Sequence, residues 1–130
     1  AKVCPQNAVE VDPGSGIVAQ VPTRCLGCRY CMAACPYHAR SFVHEPVTNQ
    51  KPDVPRGKGC VESCTLCVHR IDRDQIPACV EACAATGHKA ILFGDLNDPG
   101  SEIARRIAEV TTTRVRADLK LGTAVHYQGL

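Results

Sequence analysis

The sequence predicts an α+β fold of short hairpins and short helices joined by many irregular loops, and three observations carry that prediction. Eight of the ten cysteines fall into two runs of similar spacing, so the chain contains an internal repeat. Brief apolar segments alternate with clusters of Pro, Gly, Asp and Ser, which is the chemistry of turns. The 130 residues are 45% hydrophobic, as in a globular domain, yet they hold only three Tyr, two Phe and no Trp, so metal replaces part of an ordinary packed core.

In chain order, Cys4-Pro5 reads as the close of a ligand run. Ala1-Lys2-Val3-Cys4 begins abruptly and without an initiator Met, so the start of the protein is expected to be missing. In Asn7-Ala-Val-Glu-Val11 the alternation of Val9 and Val11 predicts a strand with one side on the core. Asp12-Pro-Gly-Ser-Gly16 supplies a turn and Ile17-Val-Ala-Gln-Val21 the returning strand of a hairpin. Tyr30-Cys-Met-Ala-Ala-Cys35 predicts a short helix stopped by Pro36. From there to Gly59, Pro46, Pro52, Pro55 and Gly57 punctuate an irregular connector, with a short strand near Ser41-Phe-Val43. Ala90-Ile-Leu-Phe93 reads as a buried strand, and Asp98-Pro99 as the N-cap and first position of a helix with Ile103, Ile107 and Val110 on one face. The tail from Arg114 to Leu130 carries no clear pattern. The organisation expected is a first unit at residues 1–45, a connector at 46–59, a second unit at 60–95, and a helix with tail at 96–130.

The chemistry lies in the cysteines. Cys25-Leu-Gly-Cys28-Arg-Tyr-Cys31-Met-Ala-Ala-Cys35-Pro36 has the C-x₂-C-x₂-C-x₃-C-P spacing of bacterial iron–sulfur ligation. Two intervening residues let a tight loop wrap one 4Fe–4S cube, and Gly27 gives the backbone room to bend; three intervening residues carry Cys35 about a helical turn away, toward a different cube. Cys64, Cys67, Cys79 and Cys83 repeat the theme as C-x₂-C-x₁₁-C-x₃-C. Paired-ferredoxin logic draws the fourth thiolate of the first cube from Cys4. It leaves Cys64, Cys67 and Cys79 short of one thiolate, with Cys35 and Cys83 serving cubes completed from outside this stretch. Cys60 stands outside the repeated frame and is expected to be a small buried hydrophobe that ligates nothing. The histidines are not haem ligands of the c type, because no C-x-x-C is followed by His. Arg29, Arg40, Lys58 and His69-Arg70 lie near ligand cysteines, where positive charge would favour a reduced, more anionic cluster, or else they are exposed charges.

These stretches, with Val61-Glu-Ser-Cys-Thr-Leu-Cys-Val-His-Arg70, Pro77-Ala-Cys-Val-Glu-Ala-Cys83 and Phe93-Gly-Asp-Leu-Asn-Asp-Pro99, resemble the multi-cluster ferredoxin-like subunits of membrane-associated oxidoreductases. That group includes polysulfide, tetrathionate and dimethyl-sulfoxide reductase iron–sulfur subunits. The ending Arg116-Ala-Asp-Leu119 with Val125-His-Tyr-Gln-Gly-Leu130 looks most like the iron–sulfur subunit of the Dsr-type sulfite-reductase-associated membrane complex. The resemblance implies bacterial-ferredoxin-like cluster-binding repeats and up to four 4Fe–4S clusters in the full-length protein. It also implies a non-catalytic relay in sulfur-compound respiration or oxidation. Its implied partners are an integral membrane quinone-interacting subunit and other redox subunits such as a c-type cytochrome, and its implied place is the periplasmic face of the cytoplasmic membrane. Two departures stand out: Ala84 replaces the proline that usually follows the last cysteine, and Ala85-Thr-Gly-His-Lys89 is longer than the usual turn. Cys60 takes a position that is usually aliphatic.

Other classes are set against this reading. A formal net charge of +2 with interspersed signs suggests neither a nucleic-acid groove nor a polybasic anchor, and no run approaches the roughly 18 apolar residues of a membrane span. Disulfides fit poorly, because cysteines this close in sequence seldom meet bridge geometry with each other. A zinc-stabilised interaction module is the alternative from another class, distinguished by its lack of colour. A redox enzyme would need a cluster iron without a protein thiolate, and the chain offers no nucleophile–base pair, phosphate loop or dinucleotide fingerprint.

Overall fold

The computed structural model describes residues 2–50, 52 and 56–130. Pro55 and the middle of the expected connector lie outside the described residues, as does Ala1. The described residues form short helices and two small antiparallel sheets, and the chain divides into two compact units, Ala1–Gln75 and Ile76–Leu130.

In the first unit β1 (Val9–Val11) and β2 (Val18–Gln20) form the expected hairpin, in the register Val9↔Gln20, Glu10↔Ala19, Val11↔Val18. Its turn is held by Asp12, whose carboxylate accepts the Ser15 amide at 2.7 Å and the Ser15 hydroxyl, which together hold its pKa below the ordinary value. Val9 is buried, but Val11 is 51% exposed, so the alternation does not put both on the core: a two-stranded ribbon has nothing to cover it beside the turn. A 3-10 turn at Pro22–Arg24 follows, then α1 (Tyr30–Ala33), which ends before Pro36 as expected.

The strand near residue 41 is β3 (Ser41–Phe42), and its partner is β4 (Val61–Glu62), paired Ser41↔Glu62 and Phe42↔Val61. The ladder continues through Val43 N–H to Cys60 O at 3.0 Å and Gly59 N–H to Val43 O at 2.8 Å. A two-pronged ion pair from Arg56 to Glu62 braces the returning chain. Residues 60–75 therefore lie with the first cysteine run. α2 (Val68–Ile71) completes this unit. Its buried apolar core comprises Ala8, Val9, Val43 and Val61, all small, which accords with the shortage of aromatics.

The second unit holds α3 (Ala78–Ala85) and α4 (Glu102–Glu109). Residues 90–93 do not form the expected strand: Ile91 and Phe93 are exposed, and the Ala90 amide is donated to the Cys83 sulfur, so it cannot start a ladder. The cap of α4 is Ser101, not Asp98. Ser101 Oγ accepts the Ala104 amide at 3.2 Å and donates to Asp95 O at 2.6 Å, whereas Asp98 spends its carboxylate on the Gly100 amide in the preceding turn. Ile103, Ile107 and Val110 are half-buried on one side as expected. Replacing Ser101 with alanine should cost about 1 kcal/mol, the usual worth of such a cap. Amide exchange over residues 102–109 should accelerate; unchanged protection there would refute the capping role.

The tail has order that its sequence does not reveal. Thr113 and Tyr127 pair through both backbone bonds, 2.8 and 2.9 Å, closing the intervening loop on itself. His126 fastens it from both ring nitrogens: Arg114 donates to Nε2 at 3.1–3.2 Å, and Nδ1 faces Thr112 Oγ1 at 3.0 Å. Among the described residues no helix is long and apolar enough to cross a membrane.

Candidate metal centre

Cys4, Cys25, Cys28 and Cys31 line one cavity in the first unit, with Gln20, Leu26, Arg29 and Val61 among its other walls. The hairpin register explains how Cys4 reaches the central run: it stands as many residues before Val9 as Cys25 stands after Gln20. Antiparallel pairing thus carries the two to the same open end of the ribbon. The Arg24–Glu10 ion pair and the Arg24 Nη1 bond to Asn7 O at 3.4 Å tie that end together. Arg40 holds the cavity residue Gln20 through its side-chain oxygen at 3.1 Å.

The loop that presents the thiols depends on Gly27. It has φ +68°, and a Cβ there would stand 2.2 Å from Gly59 O and 3.1 Å from Phe42 Cε2. The second run repeats this backbone: Leu66, at the same place between Cys64 and Cys67, has φ +55° although it is not glycine. A side chain in the left-handed region costs about 1–2 kcal/mol, so the shared conformation at two matched positions is a sign of a shared task.

Cysteines that end a run share a second device. Asn7, His38 and Lys89 all have φ between 45° and 49°, and each precedes an alanine: Ala8, Ala39 and Ala90. In two of the three turns the alanine amide is seen to donate to the preceding cysteine, Ala8 to Cys4 Sγ and Ala90 to Cys83 Sγ, each at 3.2 Å. The longer turn after Cys83 therefore preserves the bond, because α3 runs on through Ala84 where a proline would have been expected. The Ala8 amide is the main cause that lowers the Cys4 thiol pKa, favouring the thiolate that a metal requires.

The remaining site residues are distributed as follows. Cys35 is half-buried just beyond α1 and does not line the cavity. Cys64 is exposed and accepts the Leu66 amide at 3.4 Å, and Cys67 caps α2 in a left-handed conformation. Cys79 and Cys83 share one face of α3, a turn apart, in the second unit. All ten cysteines are free thiols. Cys60 is half-buried, and its S–H donates to Pro22 O at 3.4 Å, so it is not the inert hydrophobe that its sequence position suggests. Of the cations, Arg29 lines the cavity and stacks 4.0 Å from the Phe42 ring centre, while Lys58 faces Glu45 at 3.9 Å.

The donor set suits a cluster better than a single ion. Among the described residues no three of His, Cys, Asp and Glu converge on one metal position, whereas four thiols surround a cavity. Residues 1–95 match the family described as the 4Fe-4S dicluster domain. The chain belongs to that family. Its cofactors are 4Fe–4S clusters, and the zinc alternative gains no support.

Among relatives of this dicluster chain, the Hdr-like menaquinol oxidoreductase iron-sulfur subunit 1 of Archaeoglobus fulgidus is 45% identical over 126 residues, 88% of this chain and 47% of the relative. The menaquinone reductase iron-sulfur cluster-binding subunit of Nitratidesulfovibrio vulgaris is 42% identical, covering 75% of this chain and 47% of its own length. A tetrathionate reductase subunit of Salmonella typhimurium is 42% identical, covering 78% and 34%. The chain thus spans about half or less of the length of these curated relatives.

Proposed function

We propose that this chain is an electron relay with no substrate chemistry of its own, working between a membrane quinone-interacting subunit and another redox protein such as a c-type cytochrome. The observation that carries the reading is the cavity walled by Cys4, Cys25, Cys28 and Cys31. Four thiols around one cube leave no iron open to a substrate, and a 4Fe–4S cluster supplies one-electron transfer when bound. The residues hold and tune. The Cys thiolates fix position, backbone amides donate to sulfur, and Arg29 places positive charge at the wall.

By the same reading Cys64, Cys67 and Cys79 hold a second cube that lacks one thiolate here, and Cys35 and Cys83 serve further cubes. Thiolates from outside these residues are then required. Residues 1–45 and 60–95 would be the two ferredoxin-like cluster-binding stretches of an α+β fold. The names of relatives, which include menaquinol oxidoreductase and tetrathionate reductase subunits, support a setting in quinone-linked sulfur-compound respiration or oxidation. A peripheral position on the periplasmic face of the membrane follows from the same resemblance, with the 114–130 tail as the contact.

The test is purification of the native complex through a tag on this protein. An integral membrane subunit should co-purify, quinol should reduce the clusters as read by electron paramagnetic resonance, and truncation after Val110 should weaken co-purification. Clusters that ignore quinol in a complex without a membrane subunit would overturn the relay, and full recovery after truncation would remove the tail's role.

A further inference from the structure

We infer that Phe42 is a positioning residue: its ring holds the Arg29 guanidinium at the cavity wall, and the charge so placed raises the potential of the cube there. The inference rests on Cys4, Cys25, Cys28 and Cys31 holding that cube. Arg29 lines the cavity next to Cys28, and its guanidinium carbon lies 4.0 Å over the centre of the Phe42 ring. The ring is itself held in place. Phe42 pairs with Val61 across the β3–β4 ladder, and directly opposed residues of such a pair turn their side chains to one face. Val61 is buried and lines the same cavity, so the ring shares the face that meets the site. A Cβ at Gly27 would stand 3.1 Å from Phe42 Cε2, which puts the ring against the cluster loop, and His44 packs edge-on to it with 4.8 Å between ring centres.

The backbone at Arg29 has φ +63°, a left-handed conformation that glycine adopts freely and a residue with a β-carbon does not. The arginine therefore serves through its side chain. That side chain is long and exposed, and alone it would sample many rotamers; an aromatic face restricts it through the attraction between a cation and the ring quadrupole. Among the described residues no carboxylate pairs with Arg29, so its charge is not neutralised before it reaches the cavity. Reduction of a cube adds one electron and breaks no bond, so the site becomes one charge more negative, and a cation held at its wall favours that state. The matching place in the second run, directly after Cys67, is Val68, so that run carries no such charge at the matched position.

The experiment is an electron paramagnetic resonance redox titration of the native cluster-loaded protein and of its Arg29→Gln, Phe42→Leu, Phe42→Tyr and doubly substituted Arg29→Gln, Phe42→Leu variants, with iron content measured on each. Arg29→Gln and Phe42→Leu should each lower the midpoint of one cluster, while Phe42→Tyr, which keeps a ring, should leave it near its original value. Because Phe42 acts through Arg29, adding Phe42→Leu to Arg29→Gln should shift the midpoint no further. An unchanged midpoint in Arg29→Gln would overturn the tuning. The same Phe42→Leu shift in both backgrounds, an equal shift in Phe42→Tyr, or loss of iron on Phe42→Leu would each overturn the positioning role of the ring. Cys28→Ala separates the two readings: its loss of iron upholds Cys28 as a ligand whatever Arg29 does, and retention of all iron overturns both.

Discussion

Cys4→Ala protein should lose an iron from the cube walled by Cys25, Cys28 and Cys31, and show the magnetic signature of a three-iron form or lose that cluster altogether. The expectation is large because no other cysteine is placed to substitute. Cys35 lies beyond α1 and off the cavity wall, and Cys60 already hydrogen-bonds to Pro22 O. Cys4 is also the thiol prepared for the task, with the Ala8 amide on its sulfur and its pKa lowered as a result. Far from the central run in sequence, it is brought there by the β1–β2 register. Iron analysis and low-temperature resonance spectra decide the matter: unchanged iron and unchanged spectra would exclude Cys4 from the ligand set.

Gly27→Ala should be the most damaging substitution outside the cysteines. Left-handed backbone costs alanine about 1–2 kcal/mol. Its methyl would also meet Gly59 O at 2.2 Å, and that carbonyl is backbone, in the stretch whose amide is committed to Val43 O. Relief requires moving the β3–β4 ladder, which carries Val61 and its bond to Cys25; forced overpacking of this kind adds roughly 1–3 kcal/mol. The sum, roughly 2–5 kcal/mol, should appear as a lowered denaturation midpoint and poorer cluster retention. Gly59→Ala is the control, because it has φ +82° but nothing within 4 Å of the added methyl, so it should lose only the backbone share. If both variants were equally stable, the close approach of the two loops would be disproved.

The cysteine spacing by itself established the cofactor class, because a cube held by a short loop demands ligands two residues apart, and this demand is written in local sequence. The first hairpin was equally legible: Asp12-Pro-Gly-Ser-Gly16 carries its own turn chemistry, and the alternation on either side needs no distant partner to be recognised. The departures arose where the outcome depended on which group claims a backbone amide. Ala90 looked like the start of a strand until Cys83 took its N–H, and Asp98 looked like a cap until Gly100 took its carboxylate. β4 and the closed tail were invisible for the same reason, since two-residue strands and a single bridge have no periodicity and exist only through partners far along the chain. Tertiary structure alone decided that Gly27 must be glycine because Gly59 O lies against it, and that Cys60 shares a carbonyl with Cys25. Each of these is a contact across a register or between loops, and the residues on either side carry no local mark of it.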